Sequence, residues 1–189
     1  MNKTSDTPIE NVMANSFKTL AIKKPIEKIT IKEITDLTGV IRPTFYNHFQ
    51  DKYELLEWII KTDVVNPAME KFMKGDFKSG VVGFLENFRR EKEFYRACAL
   101  YSGQNSFEDI LGKEIRDIIF FFVDSGAIKD KLWYKWLTPV MVVDFFSAPV
   151  ADSIIKWINN GMTLPPEEIW ECFVYLFTHS IVDMIAGVK

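Results

Sequence analysis

The stretch TIKEITDLTGVIRPTFYNHF, residues 30–49, constrains the fold more than any other part of the chain. Thr30 stands three residues before Glu33, the spacing at which two side chains reciprocally satisfy orphan amides of a helix's first turn. Ile31, Ile34 and Leu37 then recur at intervals of three and supply that helix with an inward face. Gly39 comes after barely two turns, where a left-handed residue closes a helix at least cost. The chain must turn sharply there, with Val40 and Ile41 expected to pack into the turn. Pro43 is tolerated only in the first turn of the next helix, expected over Arg42 to Phe49. In that helix Phe45 and Phe49 lie four apart and face inward.

The flanks supply a brace. Ile9, Val12, Met13, Phe17, Leu20 and Ala21 recur at helical spacing and predict an amphipathic helix that ends before Lys23-Lys24-Pro25. On the other side Asp51 is placed to cap a fourth helix with Leu55, Leu56, Ile59 and Ile60 on one face. Two short helices joined by a glycine turn and braced by a third form a helix-turn-helix, which presents the second helix of the pair to the major groove of DNA. Arg42, Thr44, Tyr46, Asn47 and His48 remain on the outer faces of that helix. Arginine grips a guanine edge and asparagine an adenine edge by paired hydrogen bonds, while threonine, tyrosine and histidine bond phosphate oxygens. His48 also has a plainer reading as a helix-capping or gap-filling side chain. Lys52 adds a phosphate charge from the start of the fourth helix, and Lys32 approaches from the preceding one.

Charge agrees when it is counted by region. The chain carries a net charge of −3, but residues 18–52 hold seven bases against four acids, a net of +3, so the remainder carries −6. A basic segment on an acidic body suits a DNA reader with a second, separate task.

ITIKEITDLTGVIRPTFYNHFQDKYELL resembles the DNA-binding signature of the TetR/AcrR regulators. Their pattern runs through an isoleucine helix, a Gly-Val turn, Thr-aromatic-Tyr-x-His-Phe and a lysine before the connecting helix. The likeness spans roughly residues 9–61. It implies that Lys32 and Arg42 face bases, that Pro43 packs on a thymine methyl or a sugar, that Thr44, Tyr46, His48 and Lys52 hold the backbone, and that Asn47 lies at the groove. Thr30 joins this set as the cap of the supporting helix. Two departures stand out: Thr35 and Thr38 replace the usual alanines, and Lys23-Lys24-Pro25-Ile26 replaces a glycine and an aromatic. KKPIEKITI, TFYNHFQDKYELLEWI and IIKWINNGM followed by PPEEI are closer to a branch that includes regulators of dihydroxyacetone-kinase operons.

Beyond residue 62 every signal is helical, with breaks expected at Asn66-Pro67, Gly75, Ser102-Gly103, Ser125-Gly126, Asn160-Gly161 and Leu164-Pro165-Pro166. The fold class is therefore all-α, divided into a DNA-binding domain at 1–51 and a helical effector-binding and dimerisation domain at 52–189. This second region holds 21 of the 27 aromatics, including Phe120-Phe121-Phe122, so some helices must be covered on more than one side. A last helix over about 166–186 is apolar around most of its circumference, which suits packing on its own core and on a second subunit. The small residues Ser147, Ala148, Val150, Ala151 and Ser153 allow a neighbouring helix to approach closely. Trp133, Tyr134 and Trp136 either line a ligand pocket or belong to the core. Asp144, amid Val142, Val143, Phe145 and Phe146, is costly to bury unpaired and faces a cavity, a partner or solvent.

Two histidines, two distant cysteines, and no phosphate loop or nucleophile motif leave little for an enzyme, and no metal or cofactor is expected. Cys98 and Cys172 read as buried thiols, and His179 as a satisfied core histidine. Asp144 and Pro149 interrupt the longest apolar run, and the start MNKTSDTPIE lacks a signal-peptide pattern, so a cytoplasmic protein is expected. The resemblance implies a homodimer on a palindromic operator in double-stranded DNA. It also implies that a small-molecule effector in the second domain moves the fourth helix, about 52–62, and lowers operator affinity. Control by a partner protein, or activation rather than repression, is the alternative.

Overall fold

A computed structural model describes residues 8–101, 103, 105–123 and 137–187, and among these it contains helices and turns but no strand. The head consists of α1 (Ile9–Ala21), a 3₁₀ turn (Ile26–Lys28), α2 (Ile31–Thr38) and α3 (Arg42–Tyr46). Helix α4 (Lys52–Ile60) leads out of it and passes through a π-helical turn (Lys61–Val65) directly into α5 (Asn66–Met73). The body continues with α6 (Phe77–Arg90), α7 (Lys92–Ala99), α8 (Phe107–Phe122), α9 (Pro139–Asn159), α10 (Pro166–Thr178) and α11 (Ile181–Ala186).

Local chemistry sets most of these boundaries. Thr30 forms the expected capping box with Glu33, and Gly39 closes α2 at φ 79°. Asp51 caps α4 by accepting from the amides of Tyr53 and Glu54 at 2.7 and 2.9 Å. Leu55, Leu56, Ile59 and Ile60 of α4 are fully buried. They belong to one continuous core that runs from Met13 in α1 to Ile169 in α10 and crosses from head to body without a gap.

Several expectations are corrected. Helix α3 ends at Tyr46 rather than Phe49, although the amide of Phe49 still donates to the Phe45 carbonyl at 2.9 Å, so the helical path frays rather than stops. Leu37 and Ile41, expected inside, are 53% and 69% exposed, whereas Ile34 and Phe45 are fully buried. Asn66-Pro67 does not end the helical path: Pro67 has no N–H for the Asp63 carbonyl, and the ladder takes the wider π register over Lys61–Val65 before α5 proceeds. The single terminal helix is instead two helices, because Ser180 forms its own capping box with Asp183 and draws the chain into extended geometry between them. His179 lies at that junction and not in the core. Its ring stacks on Tyr175, and Nδ1 is 3.0 Å from the Tyr175 carbonyl. Cys98 is buried as expected, but Cys172 is exposed. Of the small residues around Pro149, Ser147 and Ala151 point into the chain's own core, while Ala148 and Ser153 face outward.

The candidate nucleic-acid interface and an apolar cavity

Helix α3 is held from behind. Phe45 and Phe49 are 0% and 4% exposed, their rings lie 5.8 Å apart, and Phe49 packs edge-on to Trp58 of α4. Burying two aromatic rings on one side of so short a helix forces its other residues outward. Arg42, Pro43, Tyr46, Asn47 and His48 are accordingly exposed, and Thr44 is half-buried. Beside them on α2, Lys32 is exposed and makes a 2.6 Å ion pair with Asp36, one turn along. An exposed pair of this kind is worth little and is easily exchanged for another partner.

The remaining candidates have duties inside the head. Thr30 Oγ1 accepts from the Glu33 amide at 3.3 Å, while its own amide and hydroxyl donate to Glu33 Oε2 at 2.9 Å. Glu33 also pairs with Lys24, and that ammonium, helped by the Thr30 hydrogen bonds, lowers the carboxyl pKa from its ordinary 4.5 to about 2. The His48 ring meets Glu10 of α1 at 2.9 Å through Nδ1, a contact that does not use Nε2. Lys52 donates to the carbonyls of Glu27 and Ile29 at 2.7 and 2.9 Å and so fastens the start of α4 to the 3₁₀ turn. Desolvation there lowers the Lys52 pKa. An ammonium has three N–H donors, so one is left for a phosphate. The two threonines that replace alanines on α2 satisfy themselves: Thr35 donates to the Lys32 carbonyl at 3.0 Å, and Thr38 donates to that of Ile34.

In the body, an apolar cavity of about 440 Å³ opens between α5, α6, α8, α9 and α10. Phe72, Phe84, Ile119, Phe122, Trp170 and Phe173 are among its walls. Asp144 is not. It sits on the exposed side of α9 and forms a 2.9 Å ion pair with Arg116 of α8. Trp133 and Trp136 lie outside the described residues. The sequence pattern named none of the cavity's residues as a site, because an aromatic at helical spacing looks the same whether it meets another side chain or a void.

Among the described residues, a glycine-turn helix pair with a polar outward-facing second helix, set on a separate helical body, has the architecture of a DNA-binding transcription regulator. Residues 18–59 match the model described as bacterial regulatory proteins of the tetR family, and residues 75–179 match the one described as a transcriptional regulator C-terminal region. The chain belongs to the TetR family of transcriptional regulators and is not an enzyme. The HTH-type dhaKLM operon transcriptional activator DhaS of Lactococcus lactis subsp. lactis (strain IL1403) is 32% identical over 63 residues. That match covers 33% of this chain and 34% of the activator, so the chain aligns with about a third of this relative's length. The HTH-type transcriptional regulator SAR2658 of Staphylococcus aureus (strain MRSA252) is 23% identical over 141 residues, covering 71% of this chain and 75% of that protein. Among solved structures, the dihydroxyacetone kinase operon activator DhaS superposes with a TM-score of 0.59 at 19% identity over 89% of this chain and 93% of that one. NalD, the secondary repressor of the MexAB-OprM multidrug efflux pump in Pseudomonas aeruginosa, gives 0.56 at 11% identity over 84% and 89%. At these identities the two structures speak for the fold. No helix among the described residues is long and apolar enough to cross a membrane.

Proposed function

We propose that the chain acts in the cytoplasm as a homodimeric, ligand-responsive repressor of a palindromic operator. In this reading residues 1–51 bind DNA, and residues 52–189 bind the effector and the second subunit. One observation carries the DNA reading: Arg42, Tyr46 and Asn47 stand exposed on a helix whose opposite side is anchored by Phe45 and Phe49. Arg42 and Lys32 approach base edges, Asn47 lies at the groove, and Pro43 packs on a thymine methyl or sugar. Thr44, Tyr46, His48 Nε2 and the third donor of Lys52 hold phosphates, with Thr30 fixing the supporting helix. Two such heads, related by a two-fold axis, address half-sites about one turn of DNA apart.

The effector site is the apolar cavity. It borders α5, which continues from α4 through the π turn, so filling it bears on the helix that carries the head. A second reading, activation rather than repression, is favoured by the DhaS activator, whose sequence likeness is shared over a third of each chain.

Selection from a random duplex library and then anisotropy titration test the proposal. Wild-type protein is expected to enrich a two-fold symmetric sequence. Arg42→Ala is expected to cost about 1–3 kcal/mol on it and to relax preference at one position per half-site. Equal losses on every duplex would demote Arg42 to a phosphate contact, and no enrichment at all would overturn the reading. A reporter driven from the selected sequence separates repression from activation.

A further inference from the structure

The π turn Lys61–Val65 is the place where head, connecting helix and body meet, and its two charged side chains point to different partners. On one side Lys61 pairs with Glu57 of α4 at 2.8 Å and lies 3.3 Å from Glu114 of α8, a carboxylate that is only 3% exposed. On the other side Asp63 accepts from Lys18 of α1 at 2.6 Å. The same ammonium holds Glu91 at 2.8 Å, and Glu91 is the residue at which the path from α6 to α7 breaks. Lys18 is largely buried, with its side chain 15% exposed and its Nζ 5.7 Å from the centre of the Phe94 ring. Tyr95 is fully buried next to this cluster with its hydroxyl unpartnered. Phe17 of α1 meets Phe94 of α7 edge-on at 6.1 Å, so the triad closes over an apolar seam between head and body.

A π turn carries one residue more per hydrogen-bonded ring than an α-helix, and such turns occur mostly as single insertions inside α-helices, frequently at functional sites. Here Pro67 has no N–H for the carbonyl of Asp63, and the wider register lets the helical path pass it. Within that register Lys61 faces Glu57 and Glu114 while Asp63 faces Lys18 of α1.

We propose that the Lys18–Asp63–Glu91 triad is a clasp that locks the head on the body, and that a change in the body that moves Asp63 or Glu91 away from Lys18 opens it. Its consequence rests on the DNA-binding reading, because the orientation of the head sets how two reading helices meet DNA. The clasp differs from the cavity in location and in residues.

Paired spin labels on Lys28→Cys in the head and Glu108→Cys in the body, in a Cys172→Ser background diluted with unlabelled protein, report the distance within one chain. Wild type is expected to give one narrow distribution. Lys18→Met, which keeps the stem over Phe94 but drops the charge, is expected to broaden or split it and to change affinity for the selected duplex by about fivefold or more. Lys18→Arg is expected to restore the narrow distribution. Asp63→Asn, nearly isosteric, serves as the second variant should Lys18→Met lose its circular dichroism signal. An unchanged narrow distribution in the variant that folds overturns the clasp, and so does a broadened one with unchanged DNA affinity. If wild-type protein enriches no duplex, the DNA-binding reading fails instead, and the distance measurement still decides whether the clasp exists.

Discussion

Glu33 shows how much one side chain can organise. It completes the capping box of α2 and pairs with Lys24, so the same carboxylate orders the supporting helix and the loop before it. Its pKa is lowered in the folded chain, chiefly by the Lys24 ammonium. A lowered carboxyl pKa stabilises the fold above the unfolded value, and the contribution fades as pH falls from the ordinary 4.5 towards about 2. Glu33→Gln is therefore expected to lower the thermal midpoint near neutrality and to flatten its decline across that window, so that the two proteins converge at low pH. Parallel declines in the two proteins would contradict it. The capping spacing is visible in the sequence, whereas the Lys24 partnership is not, because nine residues and a 3₁₀ turn separate the two and only their packing brings them together.

Among the elements, the turn between α2 and α3 depends on one backbone angle. Gly39 has φ 79°, and a Cβ there would meet nothing within 4 Å, so the cost of a larger residue is conformational and not steric crowding by neighbours. Gly39→Ala should lose about 1–2 kcal/mol, which for a chain of this size lowers the melting temperature by about 2–4 °C per kcal/mol. Gly39→Asn should lose less, since Asn visits this region more readily. Thermal unfolding of the two variants orders them, and an alanine variant as stable as wild type would mean the turn relaxes to another geometry. The break at Glu91 has no such signature, for neither glycine nor proline marks it, and its conformation (φ −116°, ψ 42°) is imposed by the packing of α6 and α7. The π turn does have a signature, since Pro67 just after KTDVV has no N–H for the Asp63 carbonyl, but the sequence alone reads that proline as a break and not as a change of helical register.

Among the described residues of the whole molecule, large apolar side chains stand exposed on α9, α10 and α11. Phe177, Ile181, Val182 and Ile185 are 51%, 70%, 68% and 82% exposed, and Phe145 of α9 is 73% exposed. Exposed apolar residues gathered on neighbouring helices suit an interaction site, and obligate interfaces commonly exceed about 2,000 Å². We expect α9 and the α10–α11 pair to meet their symmetry mates across it. Ile181→Glu is the discriminating variant, because a change at so exposed a position should alter the stability of a lone subunit by no more than about 0.5 kcal/mol. Sedimentation at micromolar concentration is expected to show a wild-type dimer and a folded Ile181→Glu monomer with weakened DNA binding. A wild-type monomer, or a dimer that tolerates the charge, would refute this interface.

The order of residues along the chain dictates the local features: the helical class, the caps at Thr30 and Asp51, the left-handed Gly39, and the inward pair Phe45 and Phe49 with polar residues left on the outer side of α3. Those features arise from hydrogen bonds and periodicities a few residues long. Packing in three dimensions determined where charges and voids meet. It turned Lys52 toward the carbonyls of Glu27 and Ile29, paired Asp144 with Arg116, drew Lys18, Asp63 and Glu91 into one cluster, and left a cavity among residues that read as ordinary core. Each depends on which residues distant in the chain become neighbours, and no spacing within a single helix encodes that.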